Sequence, residues 1–139
     1  MRILPRLIAL ADRLSDPTPV SAHCDLPCGV YDPAQARIEA ESVKGCMEKY
    51  AESDDADFKT RAILVKEQRA DLVKHHLWVL WTDYFKPEHL ATHPELHQLF
   101  WEATKLAGET KQTTDTAVAD DLLHKISQID SIFWATKKG

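Results

Sequence analysis

From residue 33 to the C-terminal lysines, apolar side chains recur at steps of three and four, the spacing that places them on one face of an α-helix. Four such stretches stand out. The spacing predicts a first helix over residues 33–52, with Ile38, Ser42, Cys46 and Tyr50 on one face beside Val43 and Met47. A second runs over residues 56–84, its inward stripe reading Phe58, Ala62, Val65, Arg69, Leu72, His76 and Leu80. A third covers residues 94–111 with Leu96, Leu99, Phe100, Ala103 and Leu106 facing inward, and a fourth covers residues 116–137 with Val118, Leu122, Ile126, Ile129 and Phe133. Asp32-Pro33 supplies a capping carboxylate and a proline at the first helical position. Ser53-Asp54-Asp55, Lys86-Pro87 and Thr113-Thr114-Asp115 are the breaks between helices. Four amphipathic helices on short connections fold most simply as an all-α, antiparallel up-down-up-down four-helix bundle.

Arg69 interrupts the second stripe. A charge on a buried seam is costly without a carboxylate to meet it, and Glu39 near the start of the first helix is the expected partner.

Charge changes the picture next. The chain carries −5. Arg2, Arg6 and Arg13 against Asp12 and Asp16 leave the first 22 residues slightly positive, so the remainder is strongly acidic. An acidic body argues against nucleic acid or an anionic membrane as partner, and no stretch is apolar enough to span a bilayer. Three cysteines, Cys24, Cys28 and Cys46, do not make a disulfide framework. They suit reduced thiols in the cytoplasm.

Residues 1–22 differ from the rest. Ile3, Leu7, Leu10 and Leu14 keep helical spacing, and Asp16-Pro17-Thr18-Pro19 forms a tether. Val20-Ser21-Ala22 resembles an export cleavage signal, but Pro5-Arg6 and Asp12-Arg13 break the apolar run such a signal needs. The segment therefore reads as a pro-segment, cut between Ala22 and His23 by a leader-cleaving peptidase. Residues 23–139 would remain: a hook over 23–31 followed by the bundle.

The densest chemistry follows that cut, in His23-Cys24-Asp25-Leu26-Pro27-Cys28-Gly29-Val30-Tyr31-Asp32-Pro33. If His23 is the amino terminus, its amine, the following amide nitrogen and the Cys24 sulfur chelate one metal through two fused rings. Cys28 adds a second sulfur if the chain curls, and Pro27 and Gly29 are residue types that permit a tight curl. Two nitrogens and two sulfurs in a plane suit Ni(II) or Cu(II), whereas zinc takes a tetrahedron. The His23 ring could add an axial ligand. A cysteine pair at this spacing also fits a zinc half-site, so a non-catalytic zinc- or copper-binding bundle stands as the alternative. A helical interaction module without metal stands behind it.

This run resembles the nickel hook of nickel-containing superoxide dismutases. Lys66-Glu67-Gln68-Arg69-Ala70, Lys74-His75-His76-Leu77, Asp83-Tyr84-Phe85-Lys86-Pro87, Pro94-Glu95-Leu96-His97 and Ile129-Asp130-Ser131-Ile132-Phe133-Trp134 resemble that family's bundle. The resemblance implies a precursor trimmed to His23, a homohexamer, one nickel ion per subunit, and disproportionation of superoxide to oxygen and hydrogen peroxide through Ni(II) and Ni(III). By position it implies that His23, Cys24 and Cys28 hold the metal and that Tyr31 guards the substrate pocket. It implies too that Glu39 and Arg69 orient the axial imidazole, and that Asp25 and Pro27 support the hook. Superoxide is an anion approaching an acidic protein, so attraction must come from local charge, for which the metal, Arg69 and backbone amides are the sources.

Other residues have plainer readings. His89, His93 and His97 are solvated or interface histidines, because Pro94 breaks their helical spacing. One of His75 and His76 packs while the other is exposed. Trp78, Trp81, Trp101 and Trp134 are core and subunit-contact anchors, and Cys46 is an inert buried thiol.

Overall fold

The computed structural model describes residues 29–137. The predicted leader helix, the Ala22–His23 cut, and His23, Cys24, Asp25, Pro27 and Cys28 lie outside the described residues. Those described are helical throughout, with no strand among them: α1 (Ala34–Glu52), α2 (Ala56–Val79), a π-helical turn (Leu80–Tyr84), α3 (Pro87–Thr92), α4 (Leu96–Gln112) and α5 (Thr116–Lys137). Four helices are long, as the pattern predicts. The short α3 lies in what the spacing reads as a loop. Pro87 sits in its first turn and the Lys86 amide donates to His89 Nδ1 at 3.1 Å, so one local bond suffices to start it.

The ends are fixed by local chemistry. Asp32 Oδ1 accepts from the Ala34 amide at 2.8 Å, Asp55 Oδ1 from Phe58 at 3.0 Å, and Asp115 Oδ1 from Ala117 at 2.9 Å. Each carboxylate satisfies an amide that its helix leaves free. Lys137 ends α5 with the sign the helix dipole favours.

α1 and α4 each pack against both α2 and α5, closing a ring. Cross-contacts set the directions. Glu39 and Cys46 on α1 meet Arg69 and Ala62 of α2 in reversed order. Phe100 and Thr110 on α4 meet Trp81 and Lys66, again reversed. Lys44 reaches Asp120, while Gly29, ahead of α1, meets Lys137 at the end of α5. Neighbouring helices therefore run antiparallel, as predicted. No helix among the described residues is long and apolar enough to cross a membrane.

Two of the predicted faces are rotated. On α1 the buried positions are Ala36, Ala40, Val43 and Met47, while Ile38 is 52% exposed. Alanines let α2 approach closely, and that contact outweighs the larger but outward Ile38. On α2 the buried stripe is Ala62, Lys66, Ala70, Val73 and Leu77, leaving Phe58 and Val65 exposed. Lys66 explains the displacement. It is 2% exposed, and its Nζ donates to the carbonyls of Thr110 at 2.7 Å, Lys111 at 3.0 Å and Thr113 at 2.6 Å. A four-carbon stem fills the core while the ammonium caps the C-terminus of α4. Burial pushes the Lys66 pKa down, and the three carbonyl acceptors favour the ammonium against that pressure. Arg69 consequently stands beside the stripe, its side chain 40% exposed, rather than on it.

Candidate functional site

The thiol-bearing run ends at Cys28, and the described chain begins one residue later. Gly29 has φ +66°, a left-handed conformation that glycine adopts without penalty and that other residues resist by roughly 1 kcal/mol. Among the described residues no atom lies within 4 Å of a Cβ built there, so the positive φ is what favours glycine. The tight curl expected around the second cysteine thus has a left-handed residue directly after it.

Beside this residue opens a cleft of about 350 Å³ lined by Gly29, Tyr31, Asp83, Tyr84, Lys86 and His89. Tyr31 is half-buried, its ring 5.7 Å from that of Tyr84. Tyr84 rests on Phe133 at 4.4 Å, and His89 stacks on it at 5.7 Å with the rings 19° apart. The π-helical turn sets this arrangement. Phe85 N donates to Leu80 O at 3.0 Å, a bond five residues long, so one residue more than usual fits into the last winding of α2. Tyr84 and Phe85 then both reach the aromatic cluster at this end of the bundle.

Glu39 and Arg69 meet as their sequence positions predict. Arg69 Nη1 lies 3.2 Å from Glu39 Oε2 and 3.4 Å from Oε1, with Glu39 only 16% exposed. The pair bridges α1 and α2 and does not line the Tyr31 cleft. Of the predicted site residues that are described, the structure brings Glu39 to Arg69 and sets Tyr31 apart from both.

Lys86, Tyr84, His89 and Lys137 were not singled out from the sequence as site residues. Lys86 and Tyr84 do fall in the block Asp83-Tyr84-Phe85-Lys86-Pro87, whose family resemblance was the available signal. His89 carried none, because its role depends on α3. Trp78, Trp101 and Trp134 are 52%, 57% and 42% exposed, which overturns a core role for these three; Trp81 is half-buried on Phe100. Cys46 is half-buried, not enclosed, and desolvation pushes its thiol pKa up while Arg69 opposes the shift. That keeps it protonated and poorly reactive. His75 is exposed and His76 half-buried, as expected.

Fold and cleft together define a helical-bundle protein whose two closely spaced cysteines precede the first helix in sequence and whose bundle shapes an aromatic cleft, with Asp83 and Lys86 in its lining, where that run ends. The pattern for nickel-containing superoxide dismutase matches residues 18–137. A Superoxide dismutase [Ni] of Streptomyces seoulensis is 63% identical over 119 residues, covering 86% of this chain and 91% of the relative. One of Streptomyces coelicolor is 61% identical over the same length and coverage. Among solved structures, a Ni-containing superoxide dismutase with ligation corresponding to the oxidized state has a TM-score of 0.82 at 62% identity, covering 84% of this chain and 100% of the solved one. A native nickel superoxide dismutase structure matches with the same TM-score and coverage at 60% identity. The chain belongs to the nickel-containing superoxide dismutase family.

Proposed function

We propose that this chain is a precursor which, once cut between Ala22 and His23, disproportionates superoxide to oxygen and hydrogen peroxide with one nickel ion per subunit. The observation that carries the reading is the family match running through the thiol-bearing run and the whole bundle, with Tyr31 seated in a cleft where that run ends. Relatives named as superoxide dismutases do not favour the zinc- or copper-holding alternative.

The residues fit the metal. Two thiols with amine, amide and imidazole nitrogens form a strong-field donor set suited to nickel, drawn from His23, Cys24 and Cys28. Among the described residues no group of three or more His, Cys, Asp or Glu could hold an ion instead. When bound, nickel supplies a one-electron carrier between Ni(II) and Ni(III), by which one superoxide is oxidised and another, with two protons, is reduced.

The chain's own residues do the rest. Tyr31 and Tyr84 wall the cleft and limit what enters it; Asp83 offsets Lys86 in the lining, so the ammonium of Lys137, over the Tyr84 ring, is the positive charge left nearby for an anionic substrate. The Glu39–Arg69 pair orients the His23 ring, and a fixed partner of this kind raises ligand basicity. Asp25 and Pro27 hold the fold of the hook. Trimming accords with proportion: residues 23–139 are about 84% of the chain, and each of these solved relatives covers 84% of this chain with 100% of its own length. Exposed Trp78, Trp101 and Trp134 suit contacts in a homohexamer, and an odd count of three cysteines suits the reducing cytoplasm.

The test compares the full chain with protein beginning at His23. The trimmed form should bind one nickel per subunit and remove superoxide, while Cys24→Ser with Cys28→Ser should bind none and keep its helicity. Robust dismutation by protein shown by mass spectrometry to retain residues 1–22 would overturn the reading.

A further inference from the structure

The last turn of α5 touches the start of the described chain. Lys137 Nζ donates to the Gly29 carbonyl at 3.0 Å, across 108 residues of sequence. The same ammonium lies 5.5 Å from the ring centres of both Tyr84 and Phe133. One turn's worth of residues therefore grips this corner. The Thr136 hydroxyl donates to Phe133 O at 2.7 Å, which commits its proton, so in the 2.8 Å contact with Tyr84 the tyrosine hydroxyl is the donor. Tyr84 is in turn the ring against which Tyr31 leans.

We propose that Lys137 is a positioning residue for the metal-binding run: it latches the Gly29 carbonyl to the end of α5, fixing where the chain carrying Cys28 leaves the bundle. This rests on the reading of His23, Cys24 and Cys28 as nickel ligands. The physical argument is leverage. Cys28 is bonded directly to Gly29, so fixing Gly29 restricts the positions open to its thiol. Gly29 lacks a side chain and would otherwise be the freest link in the run. The bond is charge-assisted and its donor lies over two adjoining aromatic rings, which narrows the directions the ammonium can take.

Lys137→Met separates the latch from packing, because its unbranched stem still covers Tyr84 and Phe133. Lys137→Arg restores a donor. In the full chain without metal, the amide order parameter of Val30 should drop in Lys137→Met from about the rigid-backbone value of 0.85 toward 0.6. Lys137→Arg should recover it, with helicity unchanged in both. In nickel-loaded protein, release to a chelator should quicken about tenfold in Lys137→Met, the loss expected for one charge-assisted hydrogen bond. An unchanged order parameter would overturn the latch. A lowered order parameter with unaltered nickel release would overturn the positioning role. If wild-type protein itself holds no nickel, the proposed function fails, and the order parameter alone then decides whether Lys137 fastens Gly29.

Discussion

Arg69 on α2 reaches the Glu39 carboxylate on α1 with one guanidinium nitrogen, 3.2 Å from Oε2 and 3.4 Å from Oε1, the acid mostly covered and the base 40% exposed. Among the described residues only this one nitrogen of the fork is engaged, which suits a pair that orients a third group more than one that staples two helices. Arg69→Ala should therefore cost under about 1 kcal/mol of stability, the usual scale for a partly solvated ion pair. Turnover should fall about tenfold, as when a ligand's supporting partner is lost. Circular dichroism beside superoxide decay on nickel-loaded protein checks both. A collapsed helical signal would mark Arg69 as a folding residue.

Lys66 makes the opposite prediction. Its ammonium satisfies three carbonyls at the end of α4, and its stem fills the smaller core cluster's end of the bundle. Lys66→Ala leaves a cavity and three unpaired acceptors, so unfolding free energy should drop by about 2–4 kcal/mol. Lys66→Met should recover part of that by refilling the space. Denaturant midpoints measure the series, and equal stability of Lys66→Ala and wild type would contradict it.

Glu102 on α4 gives a pH signature. The side-chain hydrogen bond from Lys125 of α5, 2.6 Å away, holds its carboxyl below the ordinary 4.5, with Gln98 adding a second donor. A depressed folded pKa means that the stabilisation is complete above the unfolded value and is lost as pH falls through the folded one. Stability should thus decline on acidification from about pH 4.5 downward. Glu102→Gln should flatten part of that slope, as followed by thermal unfolding across pH, while a slope identical to wild type would show the pair to be inert.

The helices were legible because their breaks carry strong local chemistry: carboxylates that cap, and prolines that stop. The facing of α1 and α2 was less so. Alanine contributes little to an apolar stripe, and lysine reads as surface, yet Ala36, Ala40, Ala70 and Lys66 are what these helices bury. The bulkier Ile38, Phe58 and Val65, which dominate the apolar spacing, face outward. On α5, Leu122, Ile126, Ile129 and Phe133 are bulky and inward as predicted, while at its start the small Ala119 is buried and Val118 is only partly covered. For the site, Glu39 and Arg69 could be paired from the sequence because an odd charge asks for a partner. Lys137 could not be joined to Gly29, since nothing local records a contact across 108 positions.

The wide winding at Leu80–Tyr84 has a mechanical consequence. Taking one residue out of it would turn everything downstream by about 100° around the helix axis, the arc of a single residue. Tyr84 would swing off Phe133, Thr136 would lose its phenol, and the ammonium of Lys137 would lose one of its two aromatic walls. A helix of unbroken regularity would still stack into the ring of four, but the corner that receives the N-terminal segment would be missing its floor.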